Sequence, residues 1–279
     1  MNLSLGRPVV ESYKKDPLCQ AVERAWKAGI VVVVAAGNQG RNNTKNTNGY
    51  GTIMSPGNDP LVITVGAINH KANYDPADDI IASYSSKGPS AIDLVVKPDI
   101  VAPGNQLLSL QAPNATLTTQ YPANRPAGNE IFSSDPTTPS TEYFRMSGTS
   151  MAAPLVSGIA AMMIGLDLTL TPDQVKARLM KTARRAGLPK KAAIYDPITK
   201  LTYNASHDVF TIGAGGLESP GEERLCLARA VEAHQRVCFA EISHDWRLQL
   251  WDASRDLQRS VVVVERLLGA TQFYESVAE

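Results

Sequence analysis

Ile30-Val31-Val32-Val33-Val34-Ala35-Ala36 is apolar whichever way its side chains alternate. A β-branched run with no polar face predicts a central strand of a parallel sheet, covered on both sides. Leu61 to Ala67 repeats the pattern, Leu107 to Leu110 is a shorter candidate, and Leu3 to Leu5 reads as extended. Ahead of the first long strand, Asp16-Pro17 starts a helix with proline in its first turn. Leu18, Val22 and Ala25 recur at helical spacing, and Gly29 stops it. Strand, helix and strand in this order predict a βαβ unit. Gly49, Gly51, Pro56-Gly57, Gly88-Pro89 and Pro103-Gly104 supply the turns between later elements.

The stretch between Arg145 and Asp167 carries no charge and has the length of a membrane span. It also holds Ser147, Gly148, Thr149, Ser150, Pro154, Ser157, Gly158 and Gly165, which suit a helix buried in protein better than one facing lipid. Before it, Pro113 to Thr141 is rich in Pro, Thr, Asn and Ser and reads as a long surface loop. After it, Thr171-Pro172-Asp173-Gln174 fits a capping box, and Val175, Leu179 and Ala183 form the buried stripe of a helix ending near Gly187. The whole predicts an α/β fold: a doubly wound, mostly parallel sheet flanked by helices, with working loops at the carboxyl ends of the strands.

Composition narrows the partners. Lys+Arg 27 against Asp+Glu 27 leaves no net charge over 279 residues, so no basic footprint for nucleic acid or an anionic membrane is present. Cys19, Cys226 and Cys238 are odd in number and lack C-x-x-C spacing, which fits neither a disulfide framework nor a thiolate zinc site; they read as buried thiols. The start shows no signal-peptide pattern, which leaves localisation open. From Ser219 onward there are seven Arg and no Lys, against eight Arg and twelve Lys before it. That break divides the chain into residues 1–217 and a divergent tail, 218–279.

The candidate chemistry sits in two short segments. In Gly148-Thr149-Ser150-Met151-Ala152-Ala153-Pro154 a serine stands at the start of the apolar helix, among free N–H groups that can stabilise an oxyanion. The alternative is an ordinary helix cap. Ala35-Ala36-Gly37-Asn38 ends the most apolar strand with an amide able to donate to that same oxyanion, or merely to form a turn. An esterase of α/β-hydrolase type, using Ser150, Asp196 or Asp208, and His234, is a weaker reading. The segment lacks the second glycine of G-x-S-x-G, and a loop rather than a strand leads into it.

Seven blocks, in order from residue 1 to about Gly215, resemble the subtilisin-like serine proteases, with the nearest likeness to AprX-like members. They are Asn2 to Gly6, Val33 to Asn38, Gly51 to Gly57, Val62 to Ala67, Tyr84-Ser85-Ser86 with Gly88-Pro89, Lys97 to Gly104, and Gly148 to Ala152. The resemblance implies a serine endopeptidase acting on polypeptides, with Ser150 as nucleophile and Asn38 as oxyanion donor. It also implies that Ser4, Leu5 and Gly6 pair with the substrate backbone, and that Ala35, Ala36 and Gly37 wall the pocket for the residue before the cut. No cofactor is implied, although structural calcium occurs in the family, and many members are secreted.

Three departures qualify the likeness. The family's Asp and His blocks are not within these residues, and His70, His207, His234 and His244 all lack the His-Gly-Thr context. Leu155 follows Pro154 where subtilisins often have His, and Gly213-Ala214-Gly215 leads into the unlike tail. The expectation is therefore the carboxyl-terminal part of a catalytic domain with its amino-terminal part missing, inactive alone and completed by that part. The alternative is a non-catalytic peptide-binding remnant.

Overall fold

The structure, a computed structural model, describes residues 1–71, 76–131, 137–185, 188–196 and 199–217. The expected tail, with Cys226, Cys238, His234 and His244, lies outside them. Strand β1 (Asn2–Leu3) leads to helix α1 (Pro17–Lys27), capped by Asp16, whose side chain accepts from Leu18 N at 2.9 Å. The helix buries Cys19, Val22 and Trp26, so its apolar face is rotated from the predicted Leu18-Val22-Ala25 stripe. Gly29 follows at φ 87°, a left-handed conformation that favours glycine.

The predicted apolar runs become β2 (Val33–Ala35), shorter than its run at both ends, and β3 (Ile63–Asn69), shifted two residues toward the carboxyl end. The sheet also contains β4 (Ile80–Ile81) and β5 (Ile100–Pro103), neither legible as a strand from periodicity. β2 runs parallel to both β1 and β3, and β5 runs parallel to β3. Val65 pairs with both Ala35 and Ile100, which places β2 and β5 on opposite edges of β3. Short antiparallel β4 pairs with β3 beyond β2. Every residue of β2 and the first six of β3 are buried, so both faces of the sheet are covered.

Leu107–Leu110 is β6, but it pairs antiparallel with β7 (Tyr143–Met146) in a separate two-stranded ribbon. β7 runs straight into the apolar helix, correcting the expectation that only a loop precedes it. The intervening segment holds a short helix, α2 (Thr116–Gln120), and two 3-10 turns rather than unbroken loop. Helix α3 (Thr149–Leu166) buries Ala152, Ala153, Val156, Ile159, Ala160 and Met163 in one core with Val32 to Ala35, Ile63, Val65 and Ile100. It is long and apolar enough to cross a membrane by composition, and its apolar character is explained by this packing.

α4 (Pro172–Thr182) has the predicted capping box, Thr171 accepting from Gln174 N, and buries Val175 and Leu179. It stops at Thr182 rather than near Gly187, because Arg184 leaves the helix to exchange two 2.8 Å hydrogen bonds with Gly216. A hairpin, β8 (Lys191–Asp196) and β9 (Leu201–Ser206), and the single turn α5 (Val209–Ile212) follow. The chain then returns to the sheet, where Val101 N donates to Gly215 O and Leu217 N to Val101 O.

Candidate active site

Ser150 does not cap its helix. Gly148 holds the cap position and has no side chain to offer, so the start of α3 would be left with unsatisfied N–H groups. Asn38, in the loop after β2, supplies the missing acceptor. Its Oδ1 accepts from Thr149 N at 2.9 Å and from Thr149 Oγ1 at 3.0 Å. Thr149 Oγ1 accepts in turn from Gly37 N at 3.2 Å, locking the strand end to the helix start. With the amide oxygen held this way, the Asn38 NH2 has no hydrogen-bond partner among the described residues and the side chain is exposed.

A Cβ on Gly148 would lie 3.3 Å from Asn38 Nδ2 and 3.7 Å from Ser150 N, so the glycine leaves open the space between two donors. Two N–H groups converging on one open point can stabilise a developing oxygen anion. Gly104 makes a similar close approach possible one layer below. Its carbonyl accepts from Gly148 N at 2.8 Å and from Tyr84 Oη at 2.7 Å, and a Cβ there would meet Gly148 O at 2.9 Å. Ser86 completes the frame: its N donates to Gly37 O and its Oγ accepts from Gln39 N at 3.0 Å.

The other predicted residues gather around the same point. Ser150 Oγ donates to Ser4 O at 3.3 Å, and Ser4 Oγ donates to Ser150 O at 2.8 Å. Pairing of β1 with β2 ends at Leu3, and Ser4, Leu5 and Gly6 follow it as exposed chain. Ala35, Ala36 and Gly37 are buried, and their main chain is already engaged: Ala36 N to Val65 O, Met54 N to Ala36 O, Ser86 N to Gly37 O.

No imidazole among the described residues hydrogen-bonds to Ser150. His207 Nε2 accepts from Ile81 N at 2.8 Å, and burial lowers the His207 pKa. His70 follows β3 with Nδ1 buried and unpartnered. The acids of the esterase reading are committed elsewhere. Asp196 receives Arg41 at 2.8 Å, while Asp208 caps α5 and accepts from Tyr50 Oη at 2.5 Å. No group of three His, Cys, Asp or Glu converges among the described residues. Cys19 is buried and inert, its thiol pushed up to about 12 by desolvation.

Thr149, Ser86 and Gly104 were not singled out from sequence as site residues, although all three lie in the blocks that carried the resemblance. A threonine before a helix-start serine was the available signal. Its role depends on a partner 111 positions away.

A strand-end amide and a helix-start serine thus stand together over a parallel sheet. The subtilase family model matches residues 1–215, and the chain belongs to that family. It is 41% identical over 181 residues to serine protease AprX of Bacillus subtilis, covering 64% of this chain and 36% of the relative. It is 33% identical over 187 residues to subtilisin DY of Bacillus licheniformis, covering 67% of this chain and 50% of the relative. A solved protease of Pseudoalteromonas arctica is 23% identical, aligning over 78% of this chain and 48% of its own, with a TM-score of 0.48. The chain thus spans half or less of the length of these curated relatives.

Proposed function

We propose that this chain carries the nucleophile and oxyanion half of a serine endopeptidase site. The observation that carries the reading is the placement of Ser150 at the start of α3, beside an Asn38 amide whose oxygen is tied down by Thr149 and whose NH2 is free. A peptide lies along exposed Ser4-Leu5-Gly6 by strand addition, with Ala35, Ala36 and Gly37 as the opposite wall. Ser150 Oγ attacks the scissile carbonyl carbon. The carbonyl oxygen becomes an anion between Ser150 N and Asn38 Nδ2; its collapse expels the amine, which takes up the proton that a base removed from Ser150 Oγ, and leaves an acyl-serine that water hydrolyses. Side chains and backbone donors suffice for these steps, so no cofactor is invoked.

A serine hydroxyl attacks poorly until a base removes its proton. In this structure that proton points to Ser4 O, an acceptor that cannot carry it away. We assign the base and its orienting carboxylate to polypeptide outside these 279 residues. An apolar groove formed by Met1, Ile30, Val31, Val33, Ala160 and Ile164, beside edge strand β1, offers a surface against which that polypeptide would pack. The experiment is peptide cleavage by the chain alone and together with a polypeptide bearing the family's Asp and His blocks, each beside a Ser150→Ala control. Cleavage that needs both the added segment and Ser150 is expected. Robust Ser150-dependent turnover by the chain alone would place a base inside it, and peptide binding with no turnover in the complemented pair would favour the non-catalytic remnant.

A further inference from the structure

The loop that carries Asn38 is fastened to residues 83–86 on both sides of the amide. Gly37 O accepts from Ser86 N at 2.9 Å, Gln39 N donates to Ser86 Oγ at 3.0 Å, and Gly40 N donates to Tyr84 O at 2.8 Å. Gly40 permits that approach, since a Cβ there would lie 2.0 Å from Ser85 O. The last link is Arg41, whose Nε and Nη2 both donate to Ser83 Oγ, at 2.9 and 2.8 Å. The same side chain reaches the β8–β9 hairpin. Its Nη1 pairs with buried Asp196 at 2.8 Å, and its guanidinium lies 5.2 Å from the ring centre of Tyr203 and 6.0 Å from that of Tyr84. Asp196 Oδ2 also accepts from Thr199 Oγ1 at 2.7 Å, so the carboxylate that holds Arg41 is itself fixed.

Residues 83–86 serve both oxyanion donors. They hold the Asn38 loop directly, and Tyr84 Oη donates at 2.7 Å to Gly104 O, the carbonyl that accepts from Gly148 N at the start of the Ser150 helix. On the reading that Ser150 N and Asn38 Nδ2 receive the oxyanion, we propose that Arg41 is a positioning residue. It clamps the Asn38 loop and residues 83–86 to the β8–β9 hairpin and so fixes the two donors relative to one another. Donors held in place in advance stabilise charge that develops only during reaction, so the clamp acts on the transition state rather than on peptide binding. The guanidinium is suited to this because one edge of its planar fork meets Ser83 while Nη1 meets Asp196, a geometry that a lysine ammonium lacks.

The test is steady-state cleavage by the full 279-residue chain complemented with polypeptide bearing the family's Asp and His blocks, unaltered and as Arg41→Lys, with unfolding of each chain followed by circular dichroism. Arg41→Lys keeps a cation beside Asp196 and the tyrosine rings, so unfolding should remain cooperative. Its kcat should fall about tenfold with KM within about twofold, the signature of an interaction made only in the transition state. Ser83→Ala is the second variant and decides the matter if the lysine form loses cooperative unfolding. It frees residues 83–86 from Arg41 while leaving the Arg41–Asp196 pair, and should lower kcat about fivefold, again with KM little changed. A kcat loss of less than about threefold in a folded variant, or a rise in KM that accounts for the loss, overturns the positioning role. Absence of turnover in the unaltered complemented chain overturns the peptidase reading itself, and the inference with it.

Discussion

Around Asp99 the polar groups are spent on one another. One carboxylate oxygen accepts from Lys97 Nζ and Thr64 N, both at 2.7 Å, and the other from Lys176 Nζ at 2.9 Å. The lysines in turn donate to the carbonyls of Pro60, Leu61 and Val62. Around Ser150, near the carboxyl end of the same sheet, the Asn38 amide has its oxygen engaged and its NH2 open, and Ser4, Leu5 and Gly6 lie exposed. Both clusters belong to blocks that carried the family likeness, so the blocks alone do not distinguish them. Satisfaction does: a saturated buried cluster holds the fold, and one with oriented, unspent donors is prepared for a ligand.

Removing the hub of the saturated cluster should give the largest effect. Asp99→Ala strands two lysine ammonium groups, one wholly buried and with its pKa lowered to about 8 by desolvation. A loss of about 3–5 kcal/mol in unfolding free energy is expected from denaturant titration, the scale for breaking a buried ion pair. A loss under about 1 kcal/mol would show that the cluster is not the structural member of the comparison.

Asn38→Asp sharpens the contrast. The variant keeps the oxygen that accepts from Thr149 and places a negative charge at a helix N-terminus, so stability should stay within about 1 kcal/mol. It removes the NH2 donor and sets a charge against the oxyanion, so turnover in the complemented peptidase should fall by at least about 10²–10³, the cost known for this donor in a subtilisin. Stability and activity falling together would mean that the amide is only a cap.

Asp59 lies between the two types. Its Oδ1 accepts from Leu61 N at 2.9 Å, but its Oδ2 is buried without a partner, and desolvation raises its pKa from 3.8 to about 6. Between those values the folded state holds a proton that the unfolded state has lost. The contribution to stability is thus full below about pH 4 and disappears as pH rises through about 6, a change on the order of 1–3 kcal/mol. Unfolding measured from pH 4 to 7 should show this decline, and Asp59→Asn should flatten it. The smallest effect is expected for Thr149→Val, about tenfold in turnover with about 1 kcal/mol of stability, because Asn38 keeps the Thr149 N contact and loses one of two orienting bonds.

The apolar runs at Val31 to Val34 and Val62 to Val65, the Asp16-Pro17 helix start and the Thr171-Gln174 capping box were all legible in the sequence. Each depends on neighbours a few positions away, and periodicity reports such neighbours directly. The pairing of Ser150 with Asn38 was legible as one of two readings, from a strand-end amide and a helix-start serine, and family likeness selected it over the cap and turn readings. The short strands β4, β5 and β7 were not legible from periodicity, although the equally short β6 was. The sequence by itself settled that an apolar parallel sheet forms and that a serine opens its main helix. Only the tertiary structure decided that Thr149 aims the Asn38 amide, that the Lys97-Pro98-Asp99 block is an ionic knot, and that Met54 packs against Gly6 and Gly37. Apart from Lys97 with Asp99, those contacts join residues 17 to 111 positions apart, and which groups are left unspent is settled only when the chain has brought them together.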